Sequence, residues 1–292
     1  MIGMSKGERL FQFFNVGFMI VLIILMIYPF WYIFMSSLSD YKLAAGGGFF
    51  LLPAGFSLDA YKAVLQNVSI LSGFKVTIIT TLAGVILGTF FTATTAYAIS
   101  KKRLRGRMLF SFLILFTMLF NGGMVPAYML IKQMGMIDTY GALILPNLIN
   151  AWNIFVMVSF FRGMSEEMEE AAKIDGANDL TVFFRIILPL SKAVLATIGL
   201  FIAVMYWNDY FSTVLYIYDK NMWQLQMVLR DLITNTSMAM KNTGLQIGFQ
   251  ANVSEFTVRM ATIIVATTPI LVVYPFLQKH FVKGVMIGSL KG

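Results

Sequence analysis

Residues 10–39 read LFQFFNVGFMIVLIILMIYPFWYIFMSSLS, thirty positions without an acid, a base or a histidine. A helix rises about 1.5 Å per residue, so about 20 residues cross a ~30 Å hydrocarbon slab. This run is long enough to span a bilayer, and Pro29 is a kink site towards its far end. A signal-peptide core holds only ~7–15 apolar residues, so the run reads as a retained span.

Four further uncharged runs have comparable length: residues 76–100, 108–131, 139–161 and 260–278, while 193–208 continues past Asp209 to residue 218. They predict an all-α integral membrane protein of six transmembrane helices, near 12–36, 74–100, 108–131, 140–161, 193–217 and 258–279. Residues 1–9 form an N-terminal segment, 10–280 the membrane domain, and 281–292 a tail. Continuous apolar runs exclude a barrel, whose strands alternate over ~10 residues. The whole chain agrees, with 58% hydrophobic and 12% charged residues, against about 25% charged in soluble domains. Cys is absent and His280 is the single histidine, which removes disulfides, thiolate chemistry and multi-histidine metal sites.

Basic residues set the orientation. With both termini cytoplasmic, fourteen of the 22 Lys and Arg fall on the inner side. Five of these belong to the hairpin KKRLRGR, residues 101–107, which reads as an anchor against anionic lipid rather than a nucleic-acid patch. The first outer loop, about 36–74, carries Gly46-Gly47-Gly48 and Pro53. The last outer segment, about 219–258, is long enough for a helix near 223–233. Thr81, Gly84, Gly88, Thr92 and Thr95 form a small-residue stripe on the second span, the pattern of a close helix-packing seam.

The inner loop at 162–192 is unusual because it holds six of the 14 acids: Glu166, Glu167, Glu169, Glu170, Asp175 and Asp179. Ser165 is placed to cap a helix with acids in its first turn. Met164, Met168, Ala171 and Ala172 recur at helical spacing, and Glu169 and Lys173 are spaced for an i,i+4 pair. Gly176 stops that helix, and Asn178 or Asp179 caps the next, which runs towards Pro189. The product is a helix–Gly–helix elbow suited to docking against another protein.

The segment EEAAKIDGANDLTVFFRIILP, residues 169–189, resembles the EAA coupling loop of ABC-importer permeases. Glu170, Ala171, Ala172, Gly176, Ile186, Leu188 and Pro189 match the spacing of that motif, with Asp175 beside the glycine. The resemblance extends through NGGMVPAYMLIKQMGMIDTYGALILP, YWNDYF and the tail KGVMIGSLKG to the carbohydrate-uptake branch, similar to the smaller permease of the maltose importer. It implies a multi-pass subunit of the bacterial cell membrane, forming half of a pathway for a carbohydrate, an oligosaccharide that includes acidic kinds. It implies a second homologous permease, an ATP-binding-cassette ATPase dimer docked on the elbow, and an extracellular solute-binding protein. Lys283, Gly284, Gly288, Lys291 and Gly292 would then reach the ATPase, or else form a solvated end. ATP and Mg would sit on the partner, because this chain has no phosphate-binding Gly-Lys-Ser/Thr loop and is not an enzyme by this reading. No cofactor, metal or nucleic acid is expected in the chain itself.

A polar solute needs groups that replace its water. Asn150, Trp152 and Asn153 in the fourth span, and Trp207, Asn208 and Asp209 in the fifth, have the right chemistry for a sugar path. Asp209 has a second reading, a structural pair with a neighbouring helix or with the partner subunit. An ion-coupled transporter or channel is the competing class, with Asp209 as its one buried-carboxylate candidate.

Overall fold

The computed structural model describes residues 6–44, 51–242, 254 and 256–272. In chain order the helices are α1 (Lys6–Ser37), α2 (Asp59–Gln66), α3 (Val68–Ser100), α4 (Arg107–Leu119), α5 (Met124–Gln133) and α6 (Tyr140–Ile144). They continue as α7 (Ala151–Arg162), α8 (Glu167–Ile174), α9 (Asp179–Val182), α10 (Lys192–Trp207), α11 (Phe211–Tyr216), α12 (Leu225–Asn242) and α13 (Phe256–Val272). The described residues contain no strand beyond an isolated bridge between Ser39 and Phe56. The described residues divide into two units, one drawn from those up to 67 and from 229 to 268, the other from 68–228 with 269–272.

In the first unit, α1 runs unbroken through Pro29, and the side chains of its most apolar stretch are exposed, as a lipid-facing helix requires. Its end is pinned by polar contacts. The Ser37 and Tyr61 hydroxyls lie 2.7 Å apart, the Ser57 N–H donates to the Leu38 carbonyl at 2.9 Å, and Trp31 Nε1 donates to the Leu51 carbonyl at 3.0 Å. Hydrogen bonds from Lys62 and Ser57 hold the Asp59 carboxyl below its ordinary range at the start of α2.

The second unit is organised on α3, against which α7 and α10 pack. The small-residue stripe is the seam: Thr81, Gly84, Gly88 and Thr92 are buried and Thr95 is half-buried. A Cβ on Gly84 would clash with the edge of the Tyr206 ring, and one on Gly88 would lie 3.0 Å from the Leu148 carbonyl oxygen and 3.2 Å from Ile202. Tyr206 is fully buried and donates its hydroxyl to the Ile144 carbonyl at 2.6 Å. Ala93, Ala96, Ile154, Met157, Ile198 and Ile202 fill the core between these helices.

Three of the expected spans are not single straight helices. Residues 108–131 divide into α4 and α5, bent by 113°. Asn121 Oδ1 accepts the Gly123 N–H at 2.9 Å, and Gly123 takes φ +89, a left-handed conformation that glycine adopts without steric cost. Residues 140–161 break at 148–150, just after the tightened turn that holds Pro146, with a bend of 51°. The fifth span ends its main helix at Trp207, short of residue 217, and resumes as α11, while the 81° bend at Ser191 lies ahead of it at the end of the 162–192 loop. Hydropathy windows register apolarity and miss these breaks, because the Gly, Pro and Asn responsible carry no charge.

The expected helix near 223–233 is observed as the longer α12. The chain leading into it lies on α3: Ser72 donates to the Asn221 carbonyl at 2.6 Å, and the Leu225 N–H donates to Thr77 at 2.8 Å. Fully buried Gln224 accepts from Thr213 at 2.9 Å and donates to Thr80 at 3.3 Å. Burial without such partners would cost about 1–3 kcal/mol.

Candidate functional site

The elbow is built by two local devices. Ser165 Oγ accepts the Glu167 N–H at 3.2 Å from one residue ahead of the capping position, which Glu166 holds without a side-chain bond, and Glu167, Glu169 and Glu170 stand in the first turn of α8 where the helix dipole favours acids. At the other end Gly176 takes φ +84. The Ala177 N–H reaches the Ala172 carbonyl at 2.9 Å and the Gly176 N–H reaches the Lys173 carbonyl at 3.0 Å, the paired bonds of a Schellman stop. Asn178, not Asp179, caps α9, its Oδ1 accepting the Thr181 N–H at 2.8 Å.

Beyond α9 the backbone widens to a π turn over Phe183–Ile187 before Leu188–Leu190. The expected regular helix to Leu188 is therefore corrected. Pro189 cannot donate an N–H and its ring crowds the carbonyl four residues back, and a widened turn relieves that clash.

The ion pairs also differ from the sequence expectation. Glu169 pairs with Lys101 rather than Lys173, and Lys173 lies 3.5 Å from Asp179. Arg103 reaches the same Asp179 at 2.5 Å, and Lys102 lies 3.1 Å from Glu166. The turn at Gly176 brings Asp179 back beside Lys173, while Glu169 faces inward. Three cations of the 101–107 hairpin are thus engaged with the elbow rather than left to lipid. Lys102 and Glu166 are exposed, so their pair is worth at most about 1 kcal/mol. Lys101 and Glu169 keep only 18% and 11% of their side-chain surface, so removing either partner strands a desolvated charge. Lys101 also lies 4.6 Å from the Tyr97 ring centroid, and that ring is 5.0 Å from Phe183. A continuous path of contacts therefore links α8 to the end of α3 and to the π turn.

The candidate coupling residues divide between two faces. Glu170, Ala171, Asp175, Gly176 and Pro189 are exposed, together with Ile174, which keeps 87% of its surface, and Leu180. Ala172, Ile186 and Leu188 are half-buried, and Ala172 and Leu188 pack on the core with Met164. The expected apolar stripe is therefore split, with Met168 and Ala171 outward and Met164 and Ala172 inward.

The path candidates gather at the breaks of the fourth and fifth regions. Asn150 caps α7, accepting the Trp152 and Asn153 N–H groups at 2.9 and 3.3 Å. Trp152 is half exposed against Phe201, 5.6 Å between ring centroids, and Asn153 is buried. Asn208 donates to the Val204 carbonyl at 2.9 Å and closes α10. Asp209 Oδ1 accepts the Ser212 N–H at 3.1 Å, while its buried Oδ2 has no hydrogen-bond partner among the described residues. Trp207 is buried 6.4 Å from Phe74. The two breaks are tied together by the Asn147–Ser212 hydrogen bond at 3.1 Å and by Tyr206 on Ile144.

A groove of about 1010 Å³ runs between α3 and α10 and is lined almost wholly by apolar side chains such as Leu82, Val85, Leu195 and Leu200. It lacks the groups that replace a sugar's water. The tail candidates Lys283, Gly284, Gly288, Lys291 and Gly292 lie outside the described residues.

Lys101, Arg103 and Tyr206 were not singled out as site residues from sequence. One signal was available for the first two: five bases at 101–107 and six acids at 162–192 fall on the same side of the membrane in any topology that alternates between the spans.

The family model described as "Binding-protein-dependent transport system inner membrane component" matches residues 96–287. The chain is 41% identical over 285 residues to the polygalacturonan/rhamnogalacturonan transport system permease protein YtcP of Bacillus subtilis, covering 98% of this chain and 99% of that one. It is 44% identical over 294 residues to protein LplC of the same organism, covering 99% and 97%. The fold is similar, with TM-score 0.88 and 33% identity over 96% of this chain and 100% of the other, to a bacterial ABC transporter involved in the import of the acidic polysaccharide alginate. ATP hydrolysis in this family lies in a separate subunit. Seated in the bacterial cell membrane, the chain belongs to the family of binding-protein-dependent transport system inner membrane components and is the permease subunit of an ABC importer.

Proposed function

We propose that this permease forms half of the path for an acidic oligosaccharide, and that it takes its power stroke at the exposed face of the 162–192 elbow. The observation that carries the reading is the two-sided construction of α8. One side is fastened to the Lys101–Arg103 hairpin, while Ala171, Ile174, Asp175 and Gly176 stand free on the other. An exposed Ile174 beside carboxylates fits a protein partner, since a large apolar side chain at a water-facing corner is better buried against one.

In this reading the chain crosses the membrane six times with both termini cytoplasmic. A second homologous permease completes the pathway, and an ATPase dimer holding ATP and Mg receives the elbow. A binding protein delivers solute from outside. Closure of the ATPases would push on α8. The Lys101–Glu169 contact would pass that motion to α3, whose tight seam with α10 moves the breaks near Asn150 and Asp209. The choice of an acidic oligosaccharide is supported by one sequence relative, a polygalacturonan/rhamnogalacturonan permease, and one structural relative, an alginate importer. An ion-coupled mechanism is not favoured.

The test is uptake of oligogalacturonides or oligoalginates into vesicles holding the assembled complex. Uptake should persist after the ion gradient is collapsed and stop without ATP. Uptake that follows the gradient instead would reject the proposal.

A further inference from the structure

A second, polar pocket of about 310 Å³ opens where Arg107 begins α4 and Arg162 ends α7. Six bases and three acids line it. Lys101, Lys102, Arg103 and Lys173 are engaged with elbow carboxylates. The guanidinium groups of Arg107 and Arg162 have no partner among the described residues, and Arg107 is half-buried. A partly desolvated guanidinium calls for an anion, and its planar fork matches two phosphate oxygens. Glu170, also in the lining, disfavours a multiply charged ligand and leaves a singly charged phosphodiester as the better fit.

The surroundings say where such a group would come from. No side chain of α4 is buried, and Met108, Phe112 and Phe116 present its apolar surface outward, which fits a helix facing hydrocarbon with Arg107 at the head-group level. Its first turn has no side-chain cap, which adds the partial positive charge of open N–H groups at the same end. Phe161 and Met164 line the pocket beside the charged groups, giving an acyl-bearing ligand an apolar flank.

We infer that this pocket binds the phosphate of an anionic phospholipid head group from the cytoplasmic leaflet, held by Arg107 and Arg162. The leaflet named here rests on the orientation proposed above. Bound there, the head group touches the same Lys101, Arg103 and Lys173 that fasten the elbow, so leaflet composition would bear on coupling. Inorganic phosphate offers similar oxygens and is the alternative source.

The experiment is native mass spectrometry of the assembled transporter in neutral detergent with phosphatidylglycerol or phosphatidylcholine added, with and without millimolar inorganic phosphate. Wild type should retain phosphatidylglycerol in preference to phosphatidylcholine. R107Q/R162Q should lose that preference by roughly tenfold, the size of one charge-assisted bidentate contact. R105Q, outside the pocket, should keep it. Should the double variant fail to assemble, R162Q alone, at an exposed position, should show a smaller loss in the same direction. Equal retention by the Arg107 and Arg162 variants and wild type overturns the proposal, as does an equal loss in R105Q. Full displacement by inorganic phosphate overturns the lipid assignment. Labelling of Ala171→Cys from outside would fault the orientation while leaving lipid retention intact, so the two failures are distinguishable.

Discussion

The Tyr206 ring occupies the space that a side chain on Gly84 would need, and the hydroxyl of the same tyrosine is tied to the Ile144 carbonyl at 2.6 Å. The ring therefore has no room to yield. Gly84→Ala should cost about 1–3 kcal/mol through overpacking, read as a lowered Tm of the purified complex. Gly17→Ala, with nothing within 4 Å of its Cβ, should leave Tm unchanged. Equal Tm for both variants would contradict the seam.

The inward salt bridge of the elbow lends itself to a charge swap. Lys101→Glu or Glu169→Lys alone places two like charges together in a largely buried position. Each should cost about 3–5 kcal/mol locally and reduce uptake at least roughly tenfold. The double reversal should recover most of the uptake. No recovery in the swap would show that the pair does not carry the motion.

Gly176 has open space where its Cβ would stand, so substitution acts through backbone strain at φ +84 rather than through a clash. Gly176→Val should cost roughly 1–2 kcal/mol at the turn and displace Asn178 and Asp179 behind it. ATP hydrolysis in the assembled complex should continue while transport falls. Parallel loss of both, or of neither, would argue against a coupling role.

Asp209→Asn preserves an oxygen for the Ser212 N–H and removes the charge. If the unpartnered Oδ2 faces the solute path, KM for the oligosaccharide should rise several-fold with Tm unchanged. A fall in Tm with wild-type kinetics would assign the carboxylate a structural role.

What the sequence reading captured, and what it missed, follows the range of the interactions. Helical regions followed from uncharged runs, and the elbow followed from Gly176 and Asn178, because caps and stops act within a few residues. Thr81, Gly84 and Gly88 marked the seam, since only small residues admit a helix so closely. The bends at Gly123 and at 148–150, and the end of α10 at Trp207, were hidden by the hydropathy of their flanks, whereas the bend at Ser191 falls at the expected end of the 162–192 loop. Glu169 was assigned to Lys173 because local spacing offers that partner, whereas the actual one, Lys101, is 68 residues away and is brought close only by packing of α3 against α7. Tyr206 was missed for the same reason: its role depends on Gly84 and Ile144, which are distant in the chain.

The central claim is that the free face of α8 meets an ATPase inside the cell. The chain has no cysteine, so Ala171→Cys gives a single exposed thiol. Labelling it with a membrane-impermeant maleimide, in intact cells and in inside-out vesicles with and without the ATPase, tests the claim most directly. The account predicts labelling only in inside-out vesicles and protection when the ATPase is bound. Labelling in intact cells, or labelling that the ATPase does not reduce, would contradict it.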